Sequence, residues 1–484
     1  MEGESLENIV EQALRYAEEL GAKQAEIFGA RGRIVLLMVE KKVPSATVSY
    51  IGGVAVRIAT ENNVGFAHTT SFSQESIRET VRLALESAKA KGKDKHFKSL
   101  PPEMPTEHIE PIYDKETAQA SLDDILGVYE TVKNIVDGSG KKIMLIGGGA
   151  VAGEGEVFLK NSLGVERRDK RTVVGCYFYA LATDEIPPAM AFVYDERSRI
   201  RDMNLEKLGE KLIEETVKAK RAKEMVFTGK SSVIILPQAL SSFLWVFSEE
   251  ISAPNVDRGS TPFKREKIGE KIASEEISIL DNPRSEDNPW RTSRDDEGIP
   301  TKEIEIIRDG VLISHLTDYY YATKWNTEPT GSCRRISRWG FTWNPFVYPT
   351  VAPWWIEIRS KSQDSLENII SDVKEGFVIK DVMGIHQSDF ASGKFSVPAN
   401  GWYVKNGEIA FPVHNIMISG TIPELLANIK VISKEKERTE YGDLPAIMTE
   451  KTHVVASKSP LKYRIGLKIF NVLLRLGVIK NPIL

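Results

Sequence analysis

Cysteine is nearly absent from this 484-residue chain, with only Cys176 and Cys333, far apart in sequence. That excludes a disulfide framework and a cysteine-rich metal site, and both thiols are expected to be reduced and structural. A surplus of either charge is also missing: 64 Lys and Arg stand against 68 Asp and Glu, a net −4. No global field would draw such a chain onto nucleic acid or an anionic membrane. There is no Gly-x-Ser-x-Gly elbow, and no histidine is followed by glutamate, so the common serine-hydrolase and HExxH metalloprotease signatures are lacking. His386, His414 and His453 fall late in the chain without metal-ligand spacing and read as structural or surface residues. The N-terminus lacks a basic region followed by an apolar one, so no signal peptide is expected and the location follows as cytoplasmic.

What is present, 41% hydrophobic and 27% charged residues, suffices for two or three cores. The patterning predicts a multi-domain α+β protein, with N-terminal α/β regions followed by a large antiparallel β-rich domain. Apolar positions from Leu6 to Leu20 recur at helical spacing and stop at Gly21. The Ile- and Val-rich stretch from Ala25 to Ile58 is interrupted by glycines and reads as several strands in a meander. A helix over 72–91 follows, with Ser71 and Gln74 fitting a capping box. Pro101, Pro102, Pro105 and Pro111 mark a linker. Domains are therefore placed at 1–105, 106–228 and 229–456, with a tail at 457–484.

In the middle region the spacing predicts a helix over 120–136, strands near 142–146, 156–160 and 173–183, and a helix over 204–221. Gly147, Gly148, Gly149 and Gly153 resemble a dinucleotide loop only superficially. A strand rather than a helix follows, and Glu154 and Glu156 would repel phosphate, so a turn is expected. Gly229-Lys230-Ser231 has the end of a P-loop, but Glu224 occupies its first glycine position and a strand follows, so a turn is read at 228–230. A buried strand over 232–236 and a helix over 237–250 open the third region. From 303 to 456, short Val-, Ile-, Trp- and Tyr-rich runs indicate antiparallel strands. Aromatics crowd from Tyr319 to Trp355, and two readings stand. They form a core with cross-strand pairs, or a wall gripping an extended peptide, with Trp325, Arg334, Arg335 and Trp339 as candidate peptide-cavity residues.

A series of short motifs then carries a family resemblance. Gly53-Val54-Ala55-Val56-Arg57 precedes Gly65-Phe66-Ala67, and Asn161-Ser162-Leu163-Gly164 follows. Next come Arg258-Gly259-Ser260, Ile268-Gly269-Glu270, Ile279-Leu280-Asp281-Asn282-Pro283 and Pro329-Thr330-Gly331-Ser332. Ser392-Gly393-Lys394-Phe395-Ser396 and Asn406-Gly407 close the series. In this order the chain resembles the TldD/PmbA family of peptidase subunits, also labelled modulators of DNA gyrase. The resemblance implies three consecutive regions and a role in a two-subunit peptidase acting on unfolded or extended peptides.

It also implies where a zinc site would lie. The family's catalytic subunits carry a His-Glu-x-x-x-His helix before the Gly-Ser turn, and the matching positions here hold Leu244, Trp245 and Glu249. Leu244 cannot ligate a metal, Trp245 cannot act as a base, and one carboxylate does not make a catalytic zinc site. The chain thus resembles the PmbA-like or TldE-like branch. No catalytic residue, cofactor or metal is expected in it, and zinc is expected only in a TldD-like catalytic partner. A homodimer stays open, and no nucleic-acid partner is expected. The alternative is an independent peptidase or hydrolase using Asp389 with His386, or the run Asp295-Asp296-Glu297, although adjacent acids normally form a solvated face.

The tail lies beyond the family-like region. Ile465, Ile469, Val472, Leu473 and Leu476 share a helical face edged by Arg464, Lys468 and Arg475. Docking onto the protein is the expected fate and membrane-surface contact the alternative, the segment being too short and too charged to span.

Overall fold

A computed structural model describes residues 4–40, 43–336, 344, 346–459, 465–466 and 468–472. Helix α1 (Leu6–Glu19) is capped by Ser5, and Gly21 follows its end in the left-handed region. Strands β1 (Gln24–Glu40) and β2 (Val43–Ala59) are 17 residues each and pair along their full length, so the expected meander of several strands is one long hairpin. After β3 (Val64–Thr69) comes α2 (Gln74–Ala90), whose cap is Ser73, accepting from the Ser76 amide, rather than Ser71. The middle region contributes α3 (Lys115–Ala118), α4 (Leu122–Gly138), β4 (Ile143–Asn161), β5 (Glu166–Ala182), β6 (Met190–Arg197) and α5 (Leu205–Ala219). The glycines at 147–149 and 153 are not a turn, because β4 runs straight through them. At Gly153 a Cβ would come within 2.1 Å of the Arg33 carbonyl oxygen, so glycine is what lets β1 approach β4 there.

These strands form one sheet in the order β3-β2-β1-β4-β5-β6. The two N-terminal regions therefore share a sheet across the Pro-rich segment. That segment is held along its course: Asn161 donates to the Pro101 carbonyl, Arg294 to that of Met104 and Arg284 to that of Glu107. One face of the sheet is covered in two halves. Ile27, Val54 and Val56 pack beneath α1 and α2, while Val35, Leu37 and Phe178 pack beneath α4 and α5.

The third region begins with β7 (Phe227–Ile235), which absorbs the expected turn at 228–230, and α6 (Pro237–Glu250). β7 pairs parallel with Glu375–Val382 and antiparallel with Asp443–Ala456. Lys394–Lys405 and Glu408–Thr421 complete the circuit, closing a five-stranded ring. Leu240, Phe243, Leu244 and Phe247 of α6 share one buried cluster with Val233, Ile235, Phe377, Ile379 and Val397 of those strands. Among the described residues no helix is long and apolar enough to cross a membrane.

Candidate functional site

Helix α6 starts at Pro237, whose fixed φ suits a first turn. Leu244 is buried, and Trp245 meets Phe390 edge-on with ring centroids 6.1 Å apart. Glu249 accepts from the Asn255 amide at 3.1 Å. An alkyl group, an indole and one carboxylate already engaged by an amide do not make a donor set for zinc, which takes nitrogen, sulfur and carboxylate ligands together.

The next residue was not singled out from the sequence. Glu250 is fully buried, and neither carboxylate oxygen has a hydrogen-bond partner among the described residues. Burial, and secondly the charge of Asp389, push its carboxyl up to about 9. Gly393, at φ 69°, lies so close that a Cβ there would sit 3.1 Å from Glu250 Oε1. Helical spacing from Phe243 and Phe247 puts position 250 on the apolar stripe, which is the signal that could have found it. Asp389 and His386 themselves are exposed, and the hydrogen bond from Ser392 holds Asp389 below the usual carboxylate range.

The run Asp295-Asp296-Glu297 is not a solvated face: all three are buried. Asp295 accepts from the amides of Ile299 at 2.8 Å and Cys333 at 3.1 Å. Asp296 accepts from Arg167 at 2.7 Å and from the Arg335 amide at 2.6 Å. Glu297 accepts from Arg57 at 3.2 Å and from the Tyr319 amide at 2.6 Å. Arg57 also grips Glu26 with two nitrogens, and Glu26 accepts from Arg335 at 3.0 Å. The result is a buried charge network joining β1, β2 and β5 to the third region. Isolated charges would not survive there, and mutual pairing is what keeps them. Burial, then repulsion from Glu297, raises Asp295 well above its ordinary value; the same two causes bring Asp318 to about 7.

Trp325, Arg334 and Arg335, three of the candidate peptide-cavity residues, are each engaged within the fold. Trp325 is buried, donates to Asp257 at 3.1 Å and lies beneath the Arg265 guanidinium at 5.0 Å. Arg334 donates to the Pro353 carbonyl at 2.6 Å and stacks 4.5 Å from the Trp354 ring. Arg335 is enclosed and paired with Glu26, rather than open to a substrate carboxylate. Trp339 lies outside the described residues. Cys176 and Cys333 are free and buried, with burial pushing both thiols up.

An open apolar surface lies elsewhere, on the sheet face opposite α4 and α5. Because side chains alternate, Ile34, Leu36 and Met38 of β1, Val151 of β4, Tyr177 and Tyr179 of β5 and Phe192 of β6 share it. Met38, Gly149 and Tyr177 align across three strands. The rings of Tyr179 and Phe192 are 4.9 Å apart, and Tyr179 remains 39% exposed. The near end of the same face, at Leu159 and Val165, seats the turn around Gly298. Beside it, among the described residues, 43–53 of β2 pair with β1 alone, since β3 reaches no further than Val54. This free edge carries no charged residue.

Against known proteins, the chain matches the models for PmbA/TldA metallopeptidase domain 1 at 25–88, the central domain at 70–220 and the C-terminal domain at 228–456. It is 24% identical to the metalloprotease PmbA homolog of Buchnera aphidicola, over 90% of this chain and 93% of that one. To the zinc metalloprotease TldD homolog of Saccharolobus solfataricus it is 28% identical, over 43% of this chain and 44% of that one. The crystal structure of TldE from Thermococcus kodakarensis shares the fold, with a TM-score of 0.82 and 24% identity over 92% of this chain and 100% of that one.

Proposed function

The chain belongs to the PmbA/TldA metallopeptidase family, and from that premise we propose that it is the non-catalytic, substrate-handling subunit of a two-chain peptidase. A zinc-bearing TldD-like chain supplies the hydrolysis, and unfolded or extended peptides are the substrate. The observation that carries this reading is the chemistry of α6, where Leu244 and Trp245 stand in a packed helix with no donor set for zinc. Of the two constellations open to an independent hydrolase, Asp295, Asp296 and Glu297 are committed to amides and guanidiniums, and Asp389 beside the exposed His386 is a surface carboxylate held by Ser392. The open sheet face suits the handling role: apolar and aromatic side chains grip an extended chain without reading its sequence, and the free edge of β2 offers backbone donors and acceptors.

The test is co-purification with a TldD-like chain of the same cell, followed by assay on an unfolded peptide. The isolated chain is expected to hold no stoichiometric zinc and to cleave nothing. The complex is expected to cleave and to stop when chelator is added or the partner's zinc ligands are replaced. Cleavage by the isolated chain, indifferent to chelator, overturns the proposal.

A further inference from the structure

Beyond position 456, where the family match ends, the composition changes. Residues 457–484 contain six Lys and Arg and no Asp or Glu, so with −4 overall, residues 1–456 hold −10. Of the described residues of this tail, 465–466 and 468–472 are helical and 457–459 are not. Its attachment to the body is polar: the Asn471 side chain accepts from the Ile186 amide and donates to the Ile186 carbonyl at 2.6 Å. Phe470 and Asn471 are half-buried, whereas Ile465, Ile469 and Val472, spaced four and three residues apart, stay 50%, 57% and 55% exposed. Lys468 at their edge is exposed as well. The docking expected from the sequence does occur, but it leaves the apolar stripe facing outward. Leu473, Leu476, Arg464 and Arg475 lie outside the described residues.

We infer that this tail is an interfacial anchor that lays Ile465, Ile469 and Val472 into the surface of an anionic lipid bilayer while its basic side chains meet the headgroups. An apolar stripe with basic flanks and no acids is what such a surface binds. Nucleic acid would account for the charge and leave the stripe unexplained. The inference does not rest on the peptidase reading, since the body can act with or without a membrane beneath it.

The experiment is co-sedimentation of the full chain with phosphatidylcholine–phosphatidylglycerol vesicles and with pure phosphatidylcholine vesicles. It is repeated for a chain ending at Ser459 and for the double substitution Ile465→Ser, Ile469→Ser, which keeps every charge. The full chain is expected on anionic vesicles only and to be released by salt; both variants should lose at least about tenfold in partitioning. Thermal unfolding of the double substitution is expected to coincide with that of the full chain, since Ile465 and Ile469 are exposed. Equal sedimentation of the full and shortened chains overturns the inference. So does retention of a DNA fragment by the full chain that the Ile-to-Ser substitutions leave unchanged while vesicles fail to bind.

Discussion

Glu250 ionises at a cost that no hydrogen-bond partner among the described residues offsets. Its carboxyl, ordinarily near 4.5, is pushed to about 9 by burial and Asp389. The native state therefore holds a proton that the unfolded chain gives up, and stability declines as pH rises from 4.5 towards 9. Glu250→Gln keeps the shape and removes the ionisation. Melting temperatures measured across that range are expected to slope less steeply for the variant, with its advantage greatest at the alkaline end; parallel curves would show that Glu250 is satisfied in solution. Arg335 presents the opposite case, a fully buried cation with a carboxylate at 3.0 Å. Arg335→Ala leaves Glu26 to Arg57 alone and opens a cavity, with an expected loss of about 3–5 kcal/mol in urea unfolding. A loss below about 1 kcal/mol would assign the network a minor structural role.

At the scale of elements, α6 is held by its apolar side chains. Leu244 belongs to the buried cluster, so Leu244→Ala is expected to cost about 2–5 kcal/mol of stability, read by denaturant unfolding, and to leave zinc content unchanged. The open sheet face makes a separate prediction. Tyr179→Ser removes a ring that is 39% exposed; in the two-chain complex it is expected to raise KM for an unfolded peptide about three- to tenfold with kcat nearly constant, because only uniform binding is lost. Unchanged KM would remove this face from substrate handling. The longer helices were legible in the sequence, since α1, α4, α5 and α6 each carry an apolar stripe at helical spacing, whereas short ones such as Tyr319–Trp325 and Ile422–Ala427 were not. The glycines of β1, β2 and β4 misled, because a glycine that ends a strand and one that admits a neighbouring strand look alike until the neighbour is in place.

At the scale of the molecule, residue types and their order were enough to indicate the α+β class and the family. Each follows from local pattern or from the chemistry of a single side chain. Burial was settled only by the tertiary structure. Asp295, Asp296 and Glu297 read as a solvated run because their partners, Arg57, Arg167 and the amides of Arg335 and Cys333, lie from 38 to 240 residues away in the chain, as the contact of Arg57 with Glu297 illustrates. The same holds for Arg335, for Glu250 beneath Gly393, and for the aromatic face of the sheet, whose side chains come from four separate strands. A charge is stabilised or stranded by what surrounds it in space. The sequence alone lists the groups, and the closing of the sheet against the strand ring decides which of them meet.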